Sequence, residues 1–105
     1  MYKLIFFVPA SHKEVVKQAL FDLGAGKFAN YDSCSFECEG VGQFRPIDGA
    51  NPYEGELNKL EIVREFKVEM ICEDGLIHEA VRVLNVVHPY EEVAFEVYKL
   101  EDFRV

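Results

Sequence analysis

The chain has 105 residues, of which 50% are hydrophobic and 29% charged, and a formal net charge of -8 at pH 7. This length and composition are typical of one ordered domain, 1–105, and exclude a disordered or fibrous chain. The acidic balance and the lack of a Lys/Arg cluster argue against nucleic-acid binding, which needs a basic footprint. The longest apolar run, residues 4–8, is far shorter than a membrane span of roughly 20 residues, and no charged-then-apolar leader precedes it. We therefore expect a cytoplasmic protein that does not bind membranes.

The first strand and helix are predicted from periodicity. A β-branched and aromatic run over residues 2–8 ends at Pro9 and predicts a buried strand. Ser11 with Glu14 three residues later has the spacing of a capping box, and apolar residues then recur at helical spacing until Gly24. The spacing predicts a helix over 12–23 with a glycine cap.

The remaining elements follow the same rules. Residues 31–41 and 60–72 alternate apolar and polar residues and predict two strands, each with one wet face. Helical spacing predicts a second helix over 75–86, which His88-Pro89 ends, and 93–100 alternates as a last strand. Cys34 and Cys38 would share a strand face about 13 Å apart, too far for a disulfide, so we expect reduced thiols and a reducing compartment.

The order βαββαβ predicts a ferredoxin-like α+β fold, in which a four-stranded antiparallel sheet carries both helices on one face. Several large side chains exceed what one small core needs and would have to be covered elsewhere. We therefore predict that the open sheet face or its edges are closed by self-association as a trimer. These side chains are Tyr2, Phe6, Phe7, Phe66 and Phe95.

The connection at 40–55 is the most informative stretch, because a hairpin needs only about two to five residues to turn and long loops are usually functional or mobile. Gly40 and Gly42 would let successive N–H groups converge on an anion, with Arg45 as a fork for a carboxylate or phosphate. No Gly-Lys-Ser/Thr follows, so no P-loop is present. The alternative is that the glycines and prolines only shape a rigid loop, with Arg45 paired to a carboxylate.

A second constellation is His88-Pro89-Tyr90-Glu91-Glu92, between the second helix and the last strand. An imidazole beside carboxylates suits a divalent metal site formed by His88, Glu91 and Glu92, or an acid–base pair. Against this, consecutive glutamates diverge on a strand. A histidine at a helix C-terminus also interacts favourably with the helix dipole, so a structural role stays open.

Taken together, these motifs resemble the Nif-three-like (NGG-one-interacting factor three) family. The resemblance is narrower to the domain inserted into its longer bacterial members, which also occurs as a standalone protein, and it covers nearly the whole chain. The matching residues are Tyr31-Asp32-x-Cys34-Ser35-Phe36, Gly40-x-Gly42-x-Phe44-Arg45-Pro46-x-x-Gly49-Ala50-Asn51-Pro52, a Glu61-rich third strand, and His88-Pro89-Tyr90-Glu91-Glu92-x-Ala94.

The resemblance implies a ferredoxin-like domain similar to the CutA divalent-ion-tolerance proteins and the PII signalling proteins, both trimeric. In PII proteins the long connection between strands two and three contacts partners, and nucleotide binds near its base between subunits. The family's dinuclear metal centre is formed by flanking segments that this sequence lacks, so its hydrolase-type chemistry does not carry over. The similarity to PII proteins likewise implies only where the functional loop lies, because this loop has no matching nucleotide-binding motif.

We favour a regulatory or ligand-sensing module that binds a small anionic ligand or a protein partner near a subunit interface. Divalent-metal binding, as in CutA, is the alternative. An enzyme with His88 as general base is least favoured, because no nucleophile is visible. A protein that docks on a partner without any small ligand is a further alternative. The expected ligand contacts are Gly40, Gly42, Phe44, Arg45, Gly49, Asn51 and Tyr90.

Overall fold

The computed structural model describes residues 1–103 as one antiparallel sheet of four strands with two helices. The strands are β1 (Tyr2–Val8), β2 (Phe36–Phe44), β3 (Glu61–Cys72) and β4 (Phe95–Lys99), and the helices are α1 (Ala10–Leu23) and α2 (Ile77–Val87). The sheet order is β2-β3-β1-β4. The predicted ferredoxin-like α+β arrangement is confirmed. Neither described helix is long and apolar enough to cross a membrane.

The core lies between the helices and one face of the sheet. In the β1–β3 ladder Leu4 is opposite Met70 and Phe6 is opposite Val68, and all four side chains are buried. Residues that are opposite each other in an antiparallel pair point to the same face, so this face receives the apolar stripe of both helices. The helical members of the core are Val16, Leu20, Ile77, Ala80 and Leu84. Full burial of each large side chain contributes roughly 1.5–3 kcal/mol to the fold.

Helix α1 begins at Ala10, two residues earlier than predicted, and lacks the predicted capping box. Its N-cap is Pro9, which has extended backbone and makes no side-chain cap hydrogen bond. The Ser11 hydroxyl lies 2.9 Å from His12 Nδ1 instead of capping the helix. At the other end, Gly24 has φ 115 in the left-handed region. Its backbone N–H donates to the carbonyl oxygens of Leu20 and Phe21 in the last turn of the helix. The predicted glycine cap is therefore confirmed.

Strand β2 begins at Phe36, five residues later than predicted. The segment before it is irregular because Phe28 and Tyr31 exchange backbone hydrogen bonds of 2.8 and 2.9 Å, and Ser33 has a positive φ of 55. Cys34 therefore precedes the strand and shares no strand face with Cys38. All three cysteines are free, and Cys38 is exposed whereas Cys72 is buried.

The two faces of β2 are the reverse of what its alternation suggests. Glu37 points toward α1, where its carboxylate oxygens lie 2.5 Å from Lys13 Nζ and 2.8 Å from Lys17 Nζ. Lys13 Nζ also lies 4.0 Å from the centre of the Phe66 ring. The Lys13 ammonium, followed by that of Lys17, lowers the pKa of the Glu37 carboxyl. Phe36 points the other way and is 65% exposed.

The large aromatic residues are also distributed differently from the prediction. Phe6 belongs to the core, and Tyr2 and Phe66 pack against it, so they do not need a partner. Phe95 on β4 stays 37% exposed, and further exposed apolar side chains lie on β2 and β3, where Val41 is 73% and Ile62 is 62% exposed. Both β2 and β4 are edges of the sheet. The prediction of self-association therefore rests on these edges.

Candidate ligand-binding pocket

The connection between β2 and β3 begins at residue 45, because β2 continues through the glycines at which we expected the loop to start. Gly40 is opposite Glu65 and Gly42 is opposite Val63 in the β2–β3 ladder. Residues in a regular ladder do not converge their N–H groups on one point, so the expected anion-binding nest is absent. The turns of the connection use Gly49 and Gly55, with φ of 96 and 90.

The connection folds back onto the segment after α2. The backbone N–H of Asn51 donates a 2.8 Å hydrogen bond to Glu91 Oε1. The Tyr90 ring lies 6.3 Å from the ring of Phe44 and 6.0 Å from that of Tyr53, measured between centroids. The two segments that the sequence singles out therefore lie together within one subunit.

A cavity of about 360 Å³ lies between these segments and the end of the sheet. One part of its wall is apolar. The other part is polar and includes four carboxylates and one guanidinium. The apolar lining is Phe7, Phe44, Pro46, Ile47, Ala50, Pro52, Tyr53 and Ala94, and the polar lining is Gln43, Arg45, Glu54, Glu65, Tyr90, Glu91 and Glu92. A cavity of this size and mixed lining is typical of small-molecule sites.

His88 lies beneath this cavity and holds the segment to β1. Its side chain is 5% exposed, with Nε2 2.7 Å from the Phe7 carbonyl oxygen and Nδ1 accepting the Tyr90 N–H at 3.1 Å. These two partners assign the proton to Nε2 and leave Nδ1 as the acceptor. Burial lowers the pKa of the His88 imidazole, which keeps the ring neutral.

The predicted metal ligands do not converge. Both ring nitrogens of His88 are engaged, and Glu91 accepts the Asn51 hydrogen bond. Within residues 1–103, no three or more His, Cys, Asp or Glu side chains are arranged to hold a metal ion. The arrangement does not fit a metal centre, and binding of a divalent ion stays a prediction that no contact here supports.

Two buried polar atoms in the pocket wall have no hydrogen-bond partner in the described structure, Tyr90 Oη and Glu54 Oε2. Burial, and then the charges of Glu54 and Glu65, raise the pKa of Tyr90 to about 12. The Tyr90 hydroxyl is therefore a proton donor at neutral pH. Burial, followed by the charge of Glu54, also raises the pKa of the Glu65 carboxyl.

Glu54 and Glu65 were missed in the sequence, although one signal was present. A Cβ at position 42 would lie 2.1 Å from Glu65 Oε1, so the glycine leaves room for this carboxylate. A glycine inside a strand often marks such a close approach. Glu54 carries no comparable signal among the 19 acidic residues.

The expected contacts thus divide into two groups. Phe44, Arg45 and Tyr90 line the cavity, as do Glu91 and Glu92. Asn51 acts through its backbone N–H. Outside the lining are Gly40, Gly42, Gly49 and Asn51.

The fold is that of the CutA proteins. CutA from Pyrococcus horikoshii superposes with a TM-score of 0.70 and 19% identity, covering 99% of this chain and 88% of that chain. The periplasmic divalent cation tolerance protein CutA from Archaeoglobus fulgidus gives a TM-score of 0.70 at 14% identity, covering 97% and 86%. These similarities show that the chain has the α+β fold of the CutA proteins.

Sequence similarity is stronger to part of longer proteins. The GTP cyclohydrolase 1 type 2 homologs of Halalkalibacterium halodurans and Bacillus subtilis are 42% and 39% identical over 95% and 94% of the chain, which spans 27% and 26% of their lengths. A Bacillus cereus protein related to NIF3 superposes with a TM-score of 0.83 and 40% identity over 96% of this chain and 26% of that one. No protein-family model matches. The chain is a homologue of one segment of the Nif-three-like proteins.

Proposed function

We propose that the chain is a ligand-binding regulatory module whose pocket, between residues 45–55 and 88–94, takes a small molecule near a subunit interface. The observation that carries the proposal is the pair of buried, unpartnered atoms, Tyr90 Oη and Glu54 Oε2, in the wall of a cavity of about 360 Å³. An unsatisfied buried polar group costs roughly 1–3 kcal/mol. A ligand that bonds both atoms would recover this cost.

The pocket groups support binding better than catalysis. A phenol whose pKa is raised to about 12 is a weak base at neutral pH. His88, the expected general base, is buried with both nitrogens engaged. We therefore assign the pocket no reaction.

The relatives are named as homologs of a GTP cyclohydrolase, but this chain spans about a quarter of their length. Four carboxylates in the pocket lining would repel a triphosphate. We therefore do not assign GTP to this pocket.

The pocket is tested by amide-resolved NMR titration with a panel of small aromatic acids, amides and amines. We expect shifts concentrated at Asn51, Glu54 and Tyr90, and weaker binding in Tyr90→Phe, which removes the unpartnered hydroxyl. Tyr31→Phe is the matched control, because Tyr31 is exposed and lies outside the cavity. Shifts confined to other surfaces at millimolar probe would contradict the proposal.

We further propose that the chain assembles as a homotrimer through its exposed edge strands. An edge strand presents unpaired backbone groups, and here it carries uncovered apolar side chains such as Val41. Light scattering should give three times the chain mass, and a double substitution Val41→Lys/Ile62→Lys should lower it. Val86→Lys, at an exposed position on α2, should leave the mass unchanged. A monomeric wild type would refute the assembly.

A further inference from the structure

The charge of the pocket is unbalanced. Its lining carries the carboxylates of Glu54, Glu65, Glu91 and Glu92 against the single guanidinium of Arg45. None of these five side chains forms an ion pair within residues 1–103; the ion pairs of the described chain lie elsewhere. The pocket lining therefore carries a net negative charge.

The negative charge acts most strongly in the partly buried wall of the pocket, where Glu54 and Glu65 lie. Burial, followed by the charge of Glu54, raises the pKa of the Glu65 carboxyl. Charges interact more strongly where water is excluded. Arg45 is exposed, so water screens its compensating charge. A cation that enters the pocket would relieve this repulsion, whereas an anion would increase it.

The aromatic part of the pocket wall indicates the shape of the uncharged part of the ligand. Phe44, Tyr53 and Tyr90 place three rings beside the carboxylates, and the centroid of the Tyr90 ring lies 6.3 Å from that of Phe44 and 6.0 Å from that of Tyr53. Aromatic faces attract both flat apolar groups and cations. A planar, delocalised cation can stack on the rings and pair with the carboxylates at the same time.

We propose that the pocket selects a small organic cation, an amidinium or amine on a flat apolar body, whose N–H groups bond Glu54 Oε2 and Tyr90 Oη. This inference rests on the proposed function and gives it a ligand class. It replaces the anionic ligand that Gly40, Gly42 and Arg45 suggested. The tyrosine hydroxyl accepts from the cation and is itself free to donate to a neighbouring carboxylate.

Three probes of nearly equal shape separate charge from shape: benzamidine is a cation, benzamide is neutral and benzoate is an anion. Isothermal titration of the full chain at pH 7.5 should give benzamidine at least tenfold tighter binding than benzamide, with benzoate weakest. A charge-assisted hydrogen bond supports a ratio of about this size. Raising the salt concentration should weaken benzamidine binding more than benzamide binding.

The variant Glu54→Gln should lose roughly tenfold in benzamidine affinity while its affinity for benzamide changes little. Glu56→Gln is the matched control, because Glu56 is an exposed neighbour that pairs with Lys59 outside the cavity. Equal affinity for all three probes, or the tightest binding for benzoate, overturns the cation inference and leaves the ligand pocket standing. Absence of binding by all three at 10 mM, a generous limit for fragment-sized ligands, overturns both.

Discussion

The backbone N–H of Asn51 is hydrogen-bonded to Glu91 Oε1, 2.8 Å away and 40 positions along the chain. This bond joins the β2–β3 connection to the segment after α2 and closes one side of the pocket. A surface connection of this length would otherwise have few tertiary ties. Together with the contact between the Tyr53 and Tyr90 rings, this bond holds the connection beside the pocket.

Removing that carboxylate should loosen the connection. In Glu91→Ala we expect faster hydrogen exchange at the amides of residues 49–54, with the Asn51 amide affected most, because its bonding partner is lost. The opening free energy of that amide should fall by about 1 kcal/mol. Glu92→Ala is the control, since Glu92 lines the pocket but does not bond Asn51. Equal exchange in both variants would show that the bond does not hold the loop.

The neutral buried imidazole predicts acid sensitivity. Because burial lowers the folded-state pKa of His88 below its ordinary value of 6.5, the unfolded chain takes up the proton first as the pH falls. Stability is therefore full above pH 6.5 and declines as the pH drops from about 6.5 toward the folded-state pKa. Glu65 acts in the opposite sense at lower pH, because its pKa is raised.

The measurement is urea unfolding between pH 5 and 8, in the wild type and in His88→Gln, which retains a donor for the Phe7 carbonyl. The variant should be less stable at pH 7.5 and should lose the decline below pH 6.5. Adding Glu65→Gln to both proteins removes the opposing titration. A wild type whose stability is constant from pH 7 to 5 in that background would contradict the neutral, buried assignment.

Gly42 should tolerate a methyl group poorly, whereas Gly40 should accept one. An added Cβ at Gly42 lies 2.1 Å from Glu65 Oε1, but at Gly40 nothing lies within 4 Å. Gly42→Ala should displace the Glu65 carboxylate and weaken benzamidine binding several-fold. Gly40→Ala should leave binding unchanged and stabilise β2 slightly, by about 0.5 kcal/mol. Indistinguishable binding by the two variants would show that Glu65 does not contribute to the pocket.

The Glu37 ion pairs with Lys13 and Lys17 should stabilise the contact between β2 and α1. Glu37→Gln leaves the partly buried ammonium groups of Lys13 and Lys17 with only the exposed Glu14 carboxylate, 3.6 and 3.5 Å away, and the melting temperature should fall by several degrees for a chain of this size. Glu39→Gln, which removes only an exposed 3.6 Å pair with Arg64, should change it little. Since the pKa of Glu37 is lowered, its contribution is present above pH 4.5 and lost as the pH falls through the folded-state value.

The architecture was predictable because its elements carry local periodic signals. The apolar runs of β1 and α2 and the glycine after α1 each point to one structure, and the order of elements then restricts the topology. The strand preceding the connection was misplaced because Cys34, Phe36 and Cys38 alternate as a buried strand would. The side of β2 that faces α1 carries Glu37, because Lys13 and Lys17 on that helix pair with its carboxylate. Such tertiary pairing leaves no periodic signal.

The pocket was predictable only in part, for a related reason. Loop length and the His88–Glu92 composition located its two sides, and Phe44, Arg45 and Tyr90 are in its lining. Its charge was misjudged, because Glu65 reads as an ordinary polar position of an alternating strand and Glu54 as an ordinary loop residue. Only the folded chain brings these two carboxylates beside Tyr90.

The most direct measurement is a crystal structure of the full chain soaked with benzamidine. We expect density for the probe between Phe44 and Tyr53, with its amidinium at hydrogen-bond distance, about 2.7–3.2 Å, from Glu54 Oε2 and Tyr90 Oη. A pocket that stays empty at a saturating probe concentration, with Tyr90 Oη bonded only within the protein, would contradict it.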